Sequence, residues 1–118
     1  VVGDRIQIQQ VVLNLILNST EALMNMKKQT RSITVRAHQQ DTQTVKLSVK
    51  DNGPGIEDKA MPRLFEPFYT TKPEGLGMGL AICRSIVETH GGRLWAENNP
   101  DGGATFNFMI PIAREKEA

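Results

Sequence analysis

Three glycines at alternate positions, Gly75, Gly77 and Gly79, have the clearest chemical potential in the chain; they stand in Lys72-Pro73-Glu74-Gly75-Leu76-Gly77-Met78-Gly79-Leu80. Glycines so placed let a backbone swing close to a ligand, and they lead into a helix whose free N–H groups and positive dipole end suit an anion. The chemistry implied is phosphate binding. Loops also collect glycine for steric reasons alone, so this one gains meaning only beside the other polar groups of the chain. Asn14 and Asn18 belong to a stripe with Gln7, Gln10 and Glu21, whose three- and four-residue steps stack along one edge of a helix. Val11, Val12, Leu13, Leu15, Ile16 and Leu17 make that helix apolar around most of its circumference, so it reads as largely buried and its asparagines need partners. Those partners are either a ligand or internal hydrogen bonds. The last candidate is Asp51, in Asp51-Asn52-Gly53-Pro54-Gly55-Ile56, a carboxylate that a turn cluster places at the mouth of a sheet. By itself it could serve a tight turn.

The elements that position these groups are legible from period and punctuation. Asp4 with Gln7 resembles a capping box and opens a helix through about Met26. Ile33 to Ala37 and Val45 to Lys50 alternate like half-buried strands around a turn at Asp41-Thr42, which predicts an antiparallel hairpin. His38 ends the first of these strands with no second metal-type ligand nearby, and reads as surface. Leu80, Cys83, Ile86, Val87 and His90 follow helical spacing until Gly91-Gly92 stops them. Arg93 to Glu97 and Ala104 to Ile110 read as two more strands joined through Asn99-Pro100-Asp101-Gly102-Gly103, with Phe106, Phe108 and Ile110 on the face that the helices cover. Residues from about Glu57 to Glu74 form a long irregular connection with aromatic anchors, the pattern of a functional lid.

Composition narrows the function classes. A chain of 118 residues, 39% hydrophobic, is long enough for one domain with its own core. The single cysteine rules out a disulfide framework, and Cys83 on an apolar helix face reads as a small buried hydrophobe, not a nucleophile. A net charge of +1 gives no basic field of the kind duplex nucleic acid requires. No apolar run approaches membrane-spanning length and no signal peptide opens the chain, so the domain is expected to be cytoplasmic and monomeric by itself, with a parent that could be membrane-tethered.

Four motifs stand in one order: Asn14-Leu15-Ile16-Leu17-Asn18, Asp51-Asn52-Gly53-Pro54-Gly55, Phe65-Glu66-Pro67-Phe68-Tyr69-Thr70-Thr71-Lys72 and Gly75-Leu76-Gly77-Met78-Gly79-Leu80. Together they resemble the N, G1, F and G2 boxes of the catalytic, ATP-binding domain of sensor histidine kinases, over nearly the whole chain. The third motif, followed by Pro73 and the alternating glycines, looks most like kinases of the nitrogen-fixation and nitrogen-regulation type. The resemblance implies a Bergerat-type two-layer α/β sandwich, with helices on one face of a mixed, largely antiparallel sheet. It also implies that residues 1–118 are one catalytic domain cut from a larger kinase, without its dimerisation and phosphoacceptor domain. That domain and a downstream response regulator are the implied partners.

Site residues follow from the same resemblance, position by position. Asn18 matches the family's magnesium ligand, a neutral oxygen suited to a hard cation that the triphosphate also holds. Asn14 looks toward the same phosphates or their water. Asp51 matches the reader of the adenine amine, with Gly53 and Gly55 letting the backbone approach the base. Gly75, Leu76, Gly77, Met78, Gly79 and Leu80 would wrap the phosphates, and Thr71 and Lys72 of the lid would reach the terminal one. Thr105 sits where the family often places a hydroxyl that supports adenine recognition. Many members carry Lys or Arg shortly after the second asparagine; here Glu21 stands there, and Lys72 is the candidate for the missing charge. No phosphoacceptor segment is present, and His90, closing a helix, serves as a terminal cation or cap. The alternatives are a hydrolysing ATPase of the same fold, which would carry a glutamate base where Asn14 stands, and a docking module that kept the fold without nucleotide.

Overall fold

The computed structural model describes residues 2–24, 31–66 and 79–111, and the elements follow the order α1 (Val2–Met24), β1 (Ile33–Asp41), β2 (Thr44–Asp51), a 3-10 turn (Met61–Arg63), α2 (Gly79–Thr89), β3 (Arg93–Asn98) and β4 (Ala104–Pro111). The four strands form one sheet in the order β1-β2-β4-β3. Every strand pair in it is antiparallel, so the mixed sheet expected from the resemblance has no parallel pair among the described residues. Two tight hairpins account for this, β1–β2 and β3–β4, whose inner strands β2 and β4 then pair from Thr44–Pro111 to Lys50–Thr105. At the first turn the Asp41 carboxylate accepts from Gln43 N–H at 2.8 Å, a local Asx closure.

Period two assigns the faces of the sheet. Val49, Ala104, Phe106 and Phe108 are buried beneath the helices, where Val11 and Leu15 of α1 and Cys83 and Val87 of α2 complete the core. Phe65, in the connection after β2, stands edge-on to Phe106 with ring centres 6.3 Å apart, so part of the expected lid packs on the core. The opposite face of the sheet is polar. There Ser48 donates to Asn107 at 2.6 Å, and Trp95 is flanked by Arg93 at 4.6 Å and Lys46 at 5.6 Å. His38 is exposed and pairs with Lys46 well inside β1, because the strand continues to Asp41 instead of ending near His38.

Both helices depart from or sharpen the expectation. The helix α1 already begins at Val2, so Asp4 lies inside its first turn and is not its N-cap. Nor is α1 buried all round: Ile6, Leu13, Leu17 and Met24 are exposed, Leu13 by 55%, because the sheet and α2 cover only one side of it. The polar stripe runs along the margin, with Asn14 and Asn18 half-buried and Gln7, Gln10 and Glu21 exposed. The helix α2 ends in a Schellman closure at the two glycines: Gly92 N–H donates to Val87 carbonyl at 2.9 Å and Gly91 N–H to Glu88 carbonyl at 3.0 Å, with Gly91 at φ 80°. His90 caps this end, its Nδ1 2.8 Å from the Ile86 carbonyl. No described helix is long and apolar enough to cross a membrane.

Truncating Phe108, which is 1% exposed, should cost about 3–5 kcal/mol of unfolding free energy as Phe108→Ala. Leu13→Ala, on the open side of α1, should change it by less than about 0.5 kcal/mol. Urea denaturation of the two variants checks the assignment of faces, and equal losses would contradict it.

Candidate functional site

The site is built around the end of β2. Asp51 is 3% exposed, and a buried carboxylate is costly unless its oxygens are bonded. Its Oδ1 accepts from Gly53 N–H at 2.9 Å and from Ala104 N–H at 3.3 Å; Oδ2 takes neither bond. The first bond folds the chain back immediately after the strand, and the second fastens that turn to the start of β4. Gly53 is pressed between this carboxylate and α1: a Cβ there would lie 3.1 Å from Asp51 Oδ1, 3.4 Å from Leu23 and 3.7 Å from Ala22. Gly55, at φ 86°, lies against Asn98, whose Oδ1 would be 3.0 Å from an added Cβ.

The loop between β3 and β4 clamps the same turn from the other side. Asn98 pairs its amide with the Ile56 peptide, accepting from Ile56 N–H at 2.8 Å and donating to the Ile56 carbonyl at 2.9 Å. Asn99 donates to the Asp51 carbonyl at 3.2 Å and to the Gly102 carbonyl at 3.3 Å. Gly103 allows the approach: its φ is 88°, and a side chain there would run into the Asp51 backbone carbonyl. Asn98, Asn99 and Gly103 were not among the residues singled out by sequence. The signal available was the run Asn98-Asn99-Pro100-Asp101-Gly102-Gly103, which reads as ordinary hairpin punctuation until its cross-loop partners are known.

Thr105 turns away from the carboxylate. Its hydroxyl donates to Asn99 Oδ1 at 2.6 Å and not to the Asp51 carboxylate. Strand alternation is the cause, since Ala104 and Phe106 point to the helices and Thr105 therefore points away, toward the depression it lines with Thr34, Ser48 and Lys50. Thr105 thus steadies Asn99, and through Asn99 the Asp51 strand end. The group that β4 presents to the carboxylate is the Ala104 N–H.

On the helical side, Asn14 is hydrogen-bonded to Cys83, which joins the polar stripe of α1 to the second turn of α2. Burial pushes the Cys83 thiol above its ordinary range, and the bond from Asn14 opposes that shift. With Sγ also 3.9 Å from the Val11 carbonyl, Cys83 is a packed core group. Gly79 opens α2 with nothing from other described elements within 4 Å of the place a Cβ would take, while Leu80 packs on the core. The structure therefore places Asp51 and Gly53 beside α1 at the end of β2 and Gly55 against the β3–β4 loop, while Asn14 bonds across to α2 and Asn18 lies one turn further along α1. Thr71, Lys72, Gly75, Leu76, Gly77 and Met78 lie outside the described residues. No cluster of three or more His, Cys, Asp or Glu side chains suited to a metal occurs among the described residues.

Two helices over an antiparallel sheet, with a buried aspartate at a strand end and asparagines on the facing helix, define a class that comparison identifies. Residues 3–114 match the family of histidine kinase-, DNA gyrase B- and HSP90-like ATPases, and the chain belongs to that family. The sensor protein FixL of Bradyrhizobium diazoefficiens is 47% identical over 98% of this chain, which spans 22% of that relative's length. The nucleotide-free catalytic domain of the histidine kinase ThkA superposes with a TM-score of 0.78 at 36% identity, covering 93% of this chain and 70% of that one. ThkA has also been solved in complex with the response regulator TrrA, with a TM-score of 0.74 at 37% identity over 96% of this chain and 30% of that one. Full-length ShkA in complex with AMPPNP gives 0.76 at 31% identity, over 91% of this chain and 22% of that one. Within its family, then, this is a catalytic domain of the sensor histidine kinase type, on the two-layer Bergerat fold.

Gly103→Ala should be the most damaging single change in the clamp. A left-handed alanine alone costs roughly 1–2 kcal/mol, and the contact with Asp51 adds to it. Asn98→Ala, losing two partly solvated hydrogen bonds, should cost only about 1 kcal/mol. Thermal unfolding of both variants tests this ranking, which the reverse order would refute.

Proposed function

We propose that this chain binds Mg-ATP and donates the γ-phosphoryl group to a histidine on a separate dimerisation and phosphoacceptor domain of the same kinase, which in turn serves a response regulator. The observation that carries the reading is the Asp51 carboxylate, buried and held through one oxygen by two backbone N–H groups while the other takes neither bond. That second oxygen is an acceptor matched to the exocyclic amine of adenine. Asn14 and Asn18, half-buried on the neighbouring helix, would face the phosphates together with the N-terminal turn of α2 at Gly79. The donor set fits magnesium held mainly by phosphate and water: Asn18 would supply one neutral oxygen, and no carboxylate cage competes among the described residues. Bound there, the ion would neutralise charge on the transferring group. Thr71, Lys72 and the loop from Gly75 to Gly79 would close over the phosphates, as their motifs imply, and the domain would work in the cytoplasm, where ATP is at hand.

In the transfer the bond from the γ-phosphorus to the β,γ-bridging oxygen breaks, a nitrogen–phosphorus bond forms to the acceptor imidazole, and ADP leaves. The chain's own histidines are out of place for attack. His38 is on the exposed β1, and His90 closes the far end of α2, about 16 Å of helix from Gly79. Asn14 is an amide and cannot take a proton from water, which separates this reading from that of a hydrolysing ATPase.

Two measurements test the proposal. Calorimetry should show ADP bound about ten- to a hundredfold more tightly than GDP, whose carbonyl would face the Asp51 acceptor, and Asp51→Asn should weaken ADP to a similar degree. Radiolabelled ATP should leave the isolated chain unlabelled and should label the phosphoacceptor domain on histidine when the two are mixed. Equal affinity for ADP and GDP, or acid-labile label on this chain by itself, would overturn it.

A further inference from the structure

Ser19 is the one described side chain whose polar atom is fully buried and makes no hydrogen bond. Its neighbour Thr20 shows the usual solution for a hydroxyl in a helix, donating back to the Ile16 carbonyl at 2.9 Å. Ser19 makes no such bond. A buried polar group left open in a native fold calls for a partner, such as a ligand or an ordered water.

The register of α1 over β2 shows where this hydroxyl points. Leu15 and Val49 lie in the same fully buried core. Further along both elements, Leu23 lies 3.4 Å from the side-chain position of Gly53. Because β2 ends at Asp51 and the chain turns back there, the same side-chain position of Gly53 is also 3.1 Å from Asp51 Oδ1. The carboxylate therefore lies beneath the Leu23 end of α1, and Ser19, one turn before Leu23 on the same buried face of the helix, is directed at that end of β2. The residue before it, Asn18, is turned about 100° around the helix, toward the margin of the polar stripe.

We infer that the Ser19 hydroxyl is a second base-reading group of the nucleotide pocket. It supplies, directly or across one water, a donor to the ring nitrogen beside the amine that Asp51 reads. The pair is complementary to the edge of adenine, an acceptor for the amine and a donor for N1. Asp51 is left free for this by its own bonding, since both backbone donors sit on Oδ1. The inference rests on the adenine-nucleotide reading of the site and adds a specificity-determining residue to it.

A nucleotide with only that nitrogen removed, 1-deaza-ADP, separates the role from packing. Calorimetry on the wild-type chain should show ADP bound about five- to tenfold more tightly than 1-deaza-ADP, the size of one net hydrogen bond. Ser19→Ala should bind ADP weaker by the same factor and no longer distinguish the two nucleotides. Without nucleotide, the thermal midpoint of Ser19→Ala should equal or exceed that of the wild type, because no protein hydrogen bond is lost. Ser19→Cys, close in volume and a weak donor, should repeat the binding result if the alanine variant does not fold. Unchanged discrimination in these variants, an equal loss for both nucleotides, or a lowered midpoint without ligand would overturn the role of Ser19 while leaving the adenine site intact. Failure of the wild-type chain to bind ADP at all would overturn the site itself.

Discussion

The Asp51 carboxylate holds together the part of the molecule on which everything else converges. One of its oxygens receives two backbone N–H groups, that of Gly53 two residues on and that of Ala104, 53 residues away in the sequence. That arrangement lets a carboxylate sit 3% exposed at the end of a strand, where an unbonded one would be too costly to bury. It also fixes the geometry around it: the chain must reverse after β2, β4 must start beside the reversal, and the loop before β4 must come close enough to touch the Asp51 carbonyl. Gly103 at φ 88° and the amides of Asn98 and Asn99 are consequences of that demand. Because one carboxylate oxygen is committed to structure, the other is oriented without further help.

The helix α1 answers the same centre from above. Consecutive faces of one helix do different work: Val11, Leu15, Ser19 and Leu23 point to the sheet, Asn14 and Asn18 lie on the margin, and Leu13 and Leu17 look outward. The Asn14–Cys83 bond and the Cys83–Val11 contact tie this helix to α2, so the polar margin of α1 and the glycine-led start of α2 are positioned by one piece of packing. Core and site are thus not separate regions. The cluster of Leu15, Val49, Cys83, Val87, Phe106 and Phe108 is the floor on which the polar groups are aligned.

The opposite face of the sheet carries a different polar arrangement, with Asn107 buried between Ser48 and Glu97, Trp95 beneath two cations, and Thr105 bonded to Asn99. Its link to the site is mechanical. Through Thr105 and Asn99, the outer face steadies the backbone of the residue whose side chain serves the inner one. The two histidines stand apart from this centre, His38 on the exposed β1 and His90 at the end of α2.

Local pattern was enough to read the elements. Alternation marked both hairpins, helical spacing ending at Gly91-Gly92 marked α2 with its closure, and the order of four polar motifs marked the family, because period, turn chemistry and motif wording are properties of neighbouring residues. What the sequence could not supply was which face meets which. The side of β4 on which Thr105 falls, the open side of α1 and the antiparallel pairing throughout the described sheet were all decided by contacts between segments far apart in the chain. Asn98 meets Ile56 across 42 residues, Asn99 meets Asp51 across 48, and Ala104 meets the Asp51 carboxylate across 53. The open hydroxyl of Ser19 belongs with these, since a serine in a helix looks locally satisfied until the strand packed over it is known. Sequence determined the parts and their chemistry; the packing of α1 and the β3–β4 loop onto the end of β2 decided which of those parts face one another, because burial and hydrogen-bond satisfaction are settled only when distant segments meet.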